Sequence, residues 1–248
     1  MRGVLRTVCA SGFLFRRLWQ RAACHNERGF TMKPPQRPVM GKLETQVSFE
    51  EAQSLCALED VPIESFAFTG GGMPCAQLSK SEWHGCTLDH VCLREADLRG
   101  AYFRDTVFFC CDLAGAVLIG ATLHRCEFKN CRLTGANFSA GALADVRFFG
   151  CVGQSASFSE CGLKDVMFEQ TDLSNAAFCD IGQRRRAAFA FQECSLSGAQ
   201  FLHTPLAGQN FASCNIDGIS LEGPELRGAH VTALQACELA KLLGVIVE

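Results

Sequence analysis

The chain has 248 residues, a net charge of −3, 48% hydrophobic residues and 16 cysteines. That length suits one extended domain with a short appendage. No stretch is long and apolar enough to span a membrane as a helix, and no apolar run follows the first arginines as a secretory signal would require.

The near-neutral total hides two unlike parts. Residues 1–43 hold nine of the 23 basic residues and one of the 26 acidic ones, so residues 44–248 carry 14 against 25, a net of −11. Within 1–31, arginines are interspersed with Phe13, Leu14, Phe15, Leu18 and Trp19. That composition fits a mitochondrial transit peptide; the alternative is an upstream extension of a reading frame that starts at Met32 or Met40. The stretch "MKPPQRPVM" over 32–40 reads as extended and mobile. The whole of 1–43 is expected to be a basic, disordered extension, followed by a short helical or irregular lead-in as far as Cys56.

A comb of large apolar residues then begins at every fifth position with Leu58, Ile63, Phe68, Met73, Leu78 and Trp83. From Leu88 to Phe178 it is interrupted only at Gly153. Two residues before most centres stands something small, such as Cys86, Ala96, Ala101, Cys111 or Ala116. A period of five matches neither a helix nor an ordinary strand, and fixed-period self-similarity means a repeat architecture. A second period of twenty lies over the first, in Phe108, Phe128, Phe148 and Phe168 and in Cys111, Cys131 and Cys151. Four five-residue sides therefore make one coil. Coils stack roughly 4.8 Å apart, and residues twenty apart form ladders. The glycine run 70–72 lacks the Lys and Ser/Thr of a phosphate loop and reads as a turn.

The comb breaks once. The phenylalanine column resumes at Phe191 and Phe211 rather than at 188, so three residues have been inserted and the core ladder reads Phe108, Phe128, Phe148, Phe168, Phe191, Phe211. The interrupted side holds Gly182, Gln183, Arg184, Arg185, Arg186 and Ala187. Three arginines cannot enter an apolar core unpaired, so 182–187 is expected to project as a loop and is the candidate partner-binding site. Residues 232–248 change period. They predict a short amphipathic helix ended by Gly244, then a strand in "GVIVE". The open edge of a stacked sheet needs a cover. The tail supplies one by capping or by pairing with a second copy, through Leu234, Leu239, Leu242, Leu243, Val245 and Val247.

The stretches "CDLAGAVLIGATL" and "CRLTGANF" resemble the pentapeptide-repeat family. The resemblance implies an all-β fold, a right-handed quadrilateral β-helix over 44–231 with a short C-terminal capping helix. Members of this family are mostly bacterial, which favours the upstream-extension reading of 1–31, and sixteen thiols without a secretory signal point to a reducing compartment and so to a cytoplasmic location. The tail "LQACELAKLLGVIVE" is similar to that of the Qnr-type quinolone-resistance proteins. That similarity implies a homodimer and a partner in DNA gyrase or topoisomerase IV, bound by an acidic rod that imitates duplex DNA without itself binding nucleic acid. Qnr proteins carry projecting loops that matter to drug protection, and here the one clear projection is 182–187. The alternative is a generic repeat scaffold with another partner.

Catalytic readings are weak. A filled β-helix points side chains into its core or onto flat faces, whereas a nucleophile needs a base and an orienting group converging in a pocket. Nine cysteines (56, 86, 111, 126, 131, 151, 161, 194 and 214) fall on the small inward position, where a free thiol acts as a small hydrophobe. No C-x-x-C spacing occurs. His84, Cys86, His90 and Cys92 form the best metal candidate, but the comb turns Cys86 inward and the others outward. No cofactor and no metal are expected.

Overall fold

The computed structural model describes residues 32–43, 48, 51, 62–182, 187–242 and 244–247. Ten parallel strands, β1 (Ile63–Glu64), β2 (Ala67–Thr69), β3 (Glu82–His84), β4 (Thr87–Asp89), β5 (Tyr102–Arg104), β6 (Val107–Phe109), β7 (Thr122–Lys129), β8 (Ala142–Phe149), β9 (Gly162–Glu169) and β10 (Phe189–Gln192), form two adjoining sides of a quadrilateral β-helix. Their register steps by twenty, with Trp83 beside Phe103, Phe103 beside Leu123 and Phe108 beside Phe128. In β7, β8 and β9 the two sides merge into one continuous strand of eight residues. The other two sides pair through single bridges, such as Gln77–Asp97–Val117 and Cys92–Asp112–Arg132, because turns leave one paired residue per side.

The corner that closes each side sits two residues after each centre. Asp105, Cys110, Arg125, Asn130, Asp145, Ser155, Asp165 and Asn175 all have φ between 48° and 60°, as do most of their counterparts. This is the left-handed region, which glycine enters freely and Asn and Asp tolerate best. The corner is a third register of the repeat, one that a reading of apolar and small residues alone overlooks.

Inside, the centres are buried and the rings stack. Phe108 lies 4.4 Å from Phe128 at an interplanar angle of 1°, and the column continues through Phe148, Phe168, Phe191 and Phe211 at 4.9, 4.9, 5.3 and 6.0 Å. A second column runs through Phe138, Phe158, Phe178 and Phe201 and meets the first edge-on. The register shifts by three at the break, where Phe191 pairs with Phe168 and Gln200 with Ala177. Phe189 is buried there in the column of Val146 and Val166, a place the sequence pattern reserves for small residues. Met73 also departs from the comb and is exposed. It follows Gly72, where a side chain would have its Cβ 2.3 Å from the carbonyl oxygen of Cys92. Gly72 is there for this close passage of one backbone over another, whereas a Cβ on Gly70 would meet nothing within 4 Å.

The described inward cysteines are buried, and they do more than fill space. The thiols of Cys86, Cys111, Cys131, Cys151 and Cys194 donate to the carbonyls of Ile63, Leu88, Phe108, Phe128 and Phe168 on the preceding coil, at 3.2–3.4 Å. The hydroxyls of Thr106, Thr171 and Thr204 do the same for Trp83, Phe148 and Phe178. The small position therefore supplies a donor to the carbonyl of a centre residue on the preceding coil, a role that composition alone does not reveal.

At the ends of the rod the C-terminal helix is as expected, whereas residues 32–43 and 245–247 are not. Residues 32–43 have no regular secondary structure, but they are laid against the rod rather than free of it. Pro35 is buried, the Gln36 N–H donates to Asp145 and the Val39 N–H to Asp105, both at 2.9 Å. Residues 1–31 lie outside the described residues. At the other end, helix α1 (Ala233–Leu242) is opened by a reciprocal cap. The Thr232 N–H donates to Gln235 Oε1 at 2.9 Å, and the Gln235 N–H to Thr232 Oγ1 at 3.2 Å. Gln235 Nε2 donates to the carbonyls of Phe211 and Cys214 and so fastens the helix to the last coil. Gly244, at φ 80°, ends the helix. Residues 245–247 form no strand, and Val245 instead returns its N–H to the carbonyl of Ala240.

Candidate functional site

The candidate site residues lie at two places. Gly182 and Ala187 bracket the interrupted side, and Gln183, Arg184, Arg185 and Arg186 lie outside the described residues. Ile181 is fully buried and its N–H donates to Thr204 Oγ1, so the side chains just before the interruption remain part of the core. On the C-terminal segment the named residues separate. Leu239 is buried in the end of the core, whereas Leu234, Leu242, Val245 and Val247 are exposed, together with Ile246 at 87%. Leu243 lies outside the described residues. The helix thus caps the rod with one leucine and turns its other apolar side chains outward.

The outer faces are acidic in count, but much of that charge is matched locally. Arg125 makes two hydrogen bonds to Asp105, at 2.7 and 2.6 Å. Burial alone would raise the Asp105 carboxyl. Hydrogen bonds from Arg125, Val39 and Arg104 outweigh it and hold the group below the ordinary carboxylate value. Arg99 closes on Asp97 at 2.6 Å and lowers its pKa chiefly through that side-chain hydrogen bond. Arg147 is buried between Glu127 on the preceding coil and Glu169 on the following one, with its guanidinium 4.8 Å from the centre of the Phe149 ring. Three charges at that depth are tolerated only because each meets an opposite partner.

The four histidine and cysteine residues weighed as metal ligands are not brought together. Cys86 faces the core, His84 Nδ1 lies 3.2 Å from Glu64, and His90 Nδ1 lies 2.5 Å from Asp89. Among the described residues no group of three or more such side chains is placed to hold a metal ion, and no helix is long and apolar enough to cross a membrane.

Family models match two parts of the chain. Residues 121–201 match a pentapeptide repeat region, and residues 76–108 match pentapeptide repeats in eight copies. Both matched stretches lie within the rod, and the chain carries pentapeptide repeats over them. No curated protein matches it in sequence. Among solved structures the chain is similar to full-length QnrB1, a plasmid-mediated fluoroquinolone resistance protein, with 19% identity over 72% of this chain and 100% of that one and a TM-score of 0.48. It is also similar to HetL, a pentapeptide-repeat protein involved in heterocyst differentiation regulation in the cyanobacterium Nostoc, with 19% identity over 75% and 95% and a TM-score of 0.28. A third is Rfr23 of the cyanobacterium Cyanothece, with 12% identity over 74% and 99% and a TM-score of 0.18.

Proposed function

We propose that this pentapeptide-repeat protein is a non-catalytic binding rod whose partner presents a basic surface, and that DNA gyrase or topoisomerase IV is the partner to test first. The observation that carries this reading is the segregation of charge, with a net of −11 over residues 44–248. A rigid acidic rod is steered to a basic saddle built for duplex DNA and competes with it. The loop 182–187, with three arginines on an acidic body, is proposed as a contact that sets orientation. The exposed Leu234, Leu242, Val245 and Val247 are proposed to join two copies end to end into a longer rod. A cytoplasmic location accompanies this reading.

A second reading rests on the local pairing of charge. Arg99, Arg125 and Arg147 each neutralise carboxylates on the rod itself, so the acidic surface is broken rather than continuous. That favours a repeat scaffold with a partner of different chemistry. The deciding experiment is a gyrase supercoiling assay with and without a quinolone, beside a pull-down over a range of salt. Gyrase reading: binding falls steeply with salt, and the protein relieves drug inhibition. Scaffold reading: no retention of gyrase at low salt.

A further inference from the structure

The contact between residues 32–41 and the rod has a regular geometry. Met32, Pro35 and Pro38, spaced by three, are the less exposed residues of 32–38. The two tethered N–H groups, of Gln36 and Val39, are also three apart. Their acceptors, Asp145 and Asp105, occupy the same corner of the rod two coils apart. A polyproline II helix has three residues per turn and advances about 9.3 Å in that turn. Two coils of stacked parallel strands advance roughly 9.6 Å. The two periods coincide, so an extended proline-bearing segment running along the corner offers one N–H to every second coil. The exposed Gly41, two residues beyond Val39, has its Cβ position 3.9 Å from the hydroxyl of Ser65, a further two coils along that corner, so the segment stays beside the corner although the three-residue spacing stops at Val39.

The intervening coil contributes Arg125, whose two hydrogen bonds to Asp105 leave that carboxylate able to accept Val39 as well. Asp105 and Asp145 are both buried beneath the segment. Pro34, Pro35 and Pro38 have no N–H to leave unsatisfied and hold the segment extended, while Gln36 and Val39 retain theirs. Recognition is thus of main-chain donors at a fixed spacing, with one buried proline as the anchor.

We propose that this corner is a binding site for an extended, proline-bearing peptide in the polyproline II conformation, and that the chain's own residues 32–40 occupy it as an exchangeable internal ligand. Gln36 and Val39 tether the occupant through main-chain hydrogen bonds at the edge of the fold, and the opening of such a segment belongs with the low-energy local openings of a fold rather than with global unfolding. Release uncovers two carboxylates and lifts the basic Lys33 and Arg37 away from the acidic body.

The test uses the full chain. Gln36→Pro together with Val39→Pro deletes both donors and leaves every rod residue intact. A fluorescent peptide of residues 32–41 is expected to bind this variant saturably. It should bind the parent about tenfold or more weakly, because a tethered occupant competes at millimolar effective concentration. Adding Asp145→Ala to the variant is expected to abolish binding. Hydrogen exchange on the unmutated chain gives an independent measure: millimolar unlabelled peptide should speed exchange of the Gln36 and Val39 amides. A peptide that fails to bind the opened variant, or binds equally after Asp145→Ala, or leaves those amides unchanged, overturns the proposal.

Discussion

Residues 101–178 and residues 32–43 lie against each other but are held by different groups. The rod interior is fixed by side chains that recur every five and every twenty residues, each burying a ring or a leucine on its counterpart from the next coil. The strap is tethered by two of its backbone N–H groups to a pair of carboxylates that belong to the rod, and its Pro35 is buried. The difference is one of energy and of kind. Each interior ring loses dispersion contacts on every side when removed, whereas the strap's main-chain tethers are charge-assisted hydrogen bonds that water can replace.

The interior side of this comparison is broken most severely at Phe148. Its ring stacks on Phe128 and Phe168 and meets Phe138 and Phe158 edge-on. Phe148→Ala is expected to cost about 3–5 kcal/mol, read by chemical denaturation. A loss below about 1 kcal/mol would show that neighbouring coils can collapse into the space and that the column is not the source of stability.

What was legible in the sequence follows the same division. Period five and period twenty are statements about side-chain volume, so the comb, the phenylalanine ladder and the three-residue shift at Phe191 stood out in the residues themselves. The corner was less visible, because φ near 55° admits Arg125, Ala140 and Glu160 as well as Asp, Asn and Gly. The strap was invisible for a physical reason. A main-chain donor carries no residue identity, so nothing in "MKPPQRPVM" names Asp105 or Asp145 as its acceptor. The tail illustrates a motif left unread. Thr232-Ala-Leu-Gln235 has the spacing of a capping box, while the apolar run that reads as a strand forms none at 245–247 among the described residues. The loop arginines 184–186 fall outside the described residues, so their role stays with the proposal above.

The C-terminal fastening offers an intermediate case, a side-chain amide that satisfies backbone groups on the rod. Gln235→Ala removes two donations to the carbonyls of Phe211 and Cys214 and one acceptance from Thr232. A loss of about 1–2 kcal/mol is expected. It should appear as faster amide exchange across 233–242 before any change in the middle of the rod. Simultaneous loosening of both regions would mean that the cap and the rod unfold as one unit.

On the strap side the lever is pH. Asp105 has a folded pKa below its ordinary value, so the stability it contributes is complete above about pH 4 and is lost as pH falls through the folded value. Asp97, Asp172 and Glu225 are depressed as well and share the acid sensitivity. Asp105→Asn is therefore expected to make the decline in stability between about pH 4 and pH 3 shallower, not to remove it. An unchanged slope in urea unfolding across that range would show that Asp105 is not linked to folding through Arg125 and Val39.

The smallest effect is expected inside the rod, where the two kinds of attachment meet in one residue. Cys131 fills a corner as a small apolar group and also donates its thiol to the carbonyl of Phe108 at 3.4 Å. A thiol is a weak donor, and alanine already stands at the same kind of position in Ala96, Ala116, Ala136 and Ala156, where it is fully buried. Cys131→Ala is therefore expected to cost about 1 kcal/mol or less. A larger loss would mean that the Phe108 carbonyl depends on its donor, and that the Cys and Thr residues at small positions are chosen for hydrogen bonding rather than size. Thiol chemistry separates these readings without mutation. Burial pushes the pKa of Cys86 up to about 11 and those of Cys126 and Cys161 to about 12, while Cys75 and Cys237 are exposed. Thiolate is the reactive form, so a maleimide at neutral pH should label Cys75 and Cys237 and spare the inward column until the chain unfolds. Labelling of Cys126 or Cys161 at the rate of Cys75 in the folded protein would show that the corners open far more readily than their packing implies, and would move the donor role, rather than volume, to the centre of the explanation.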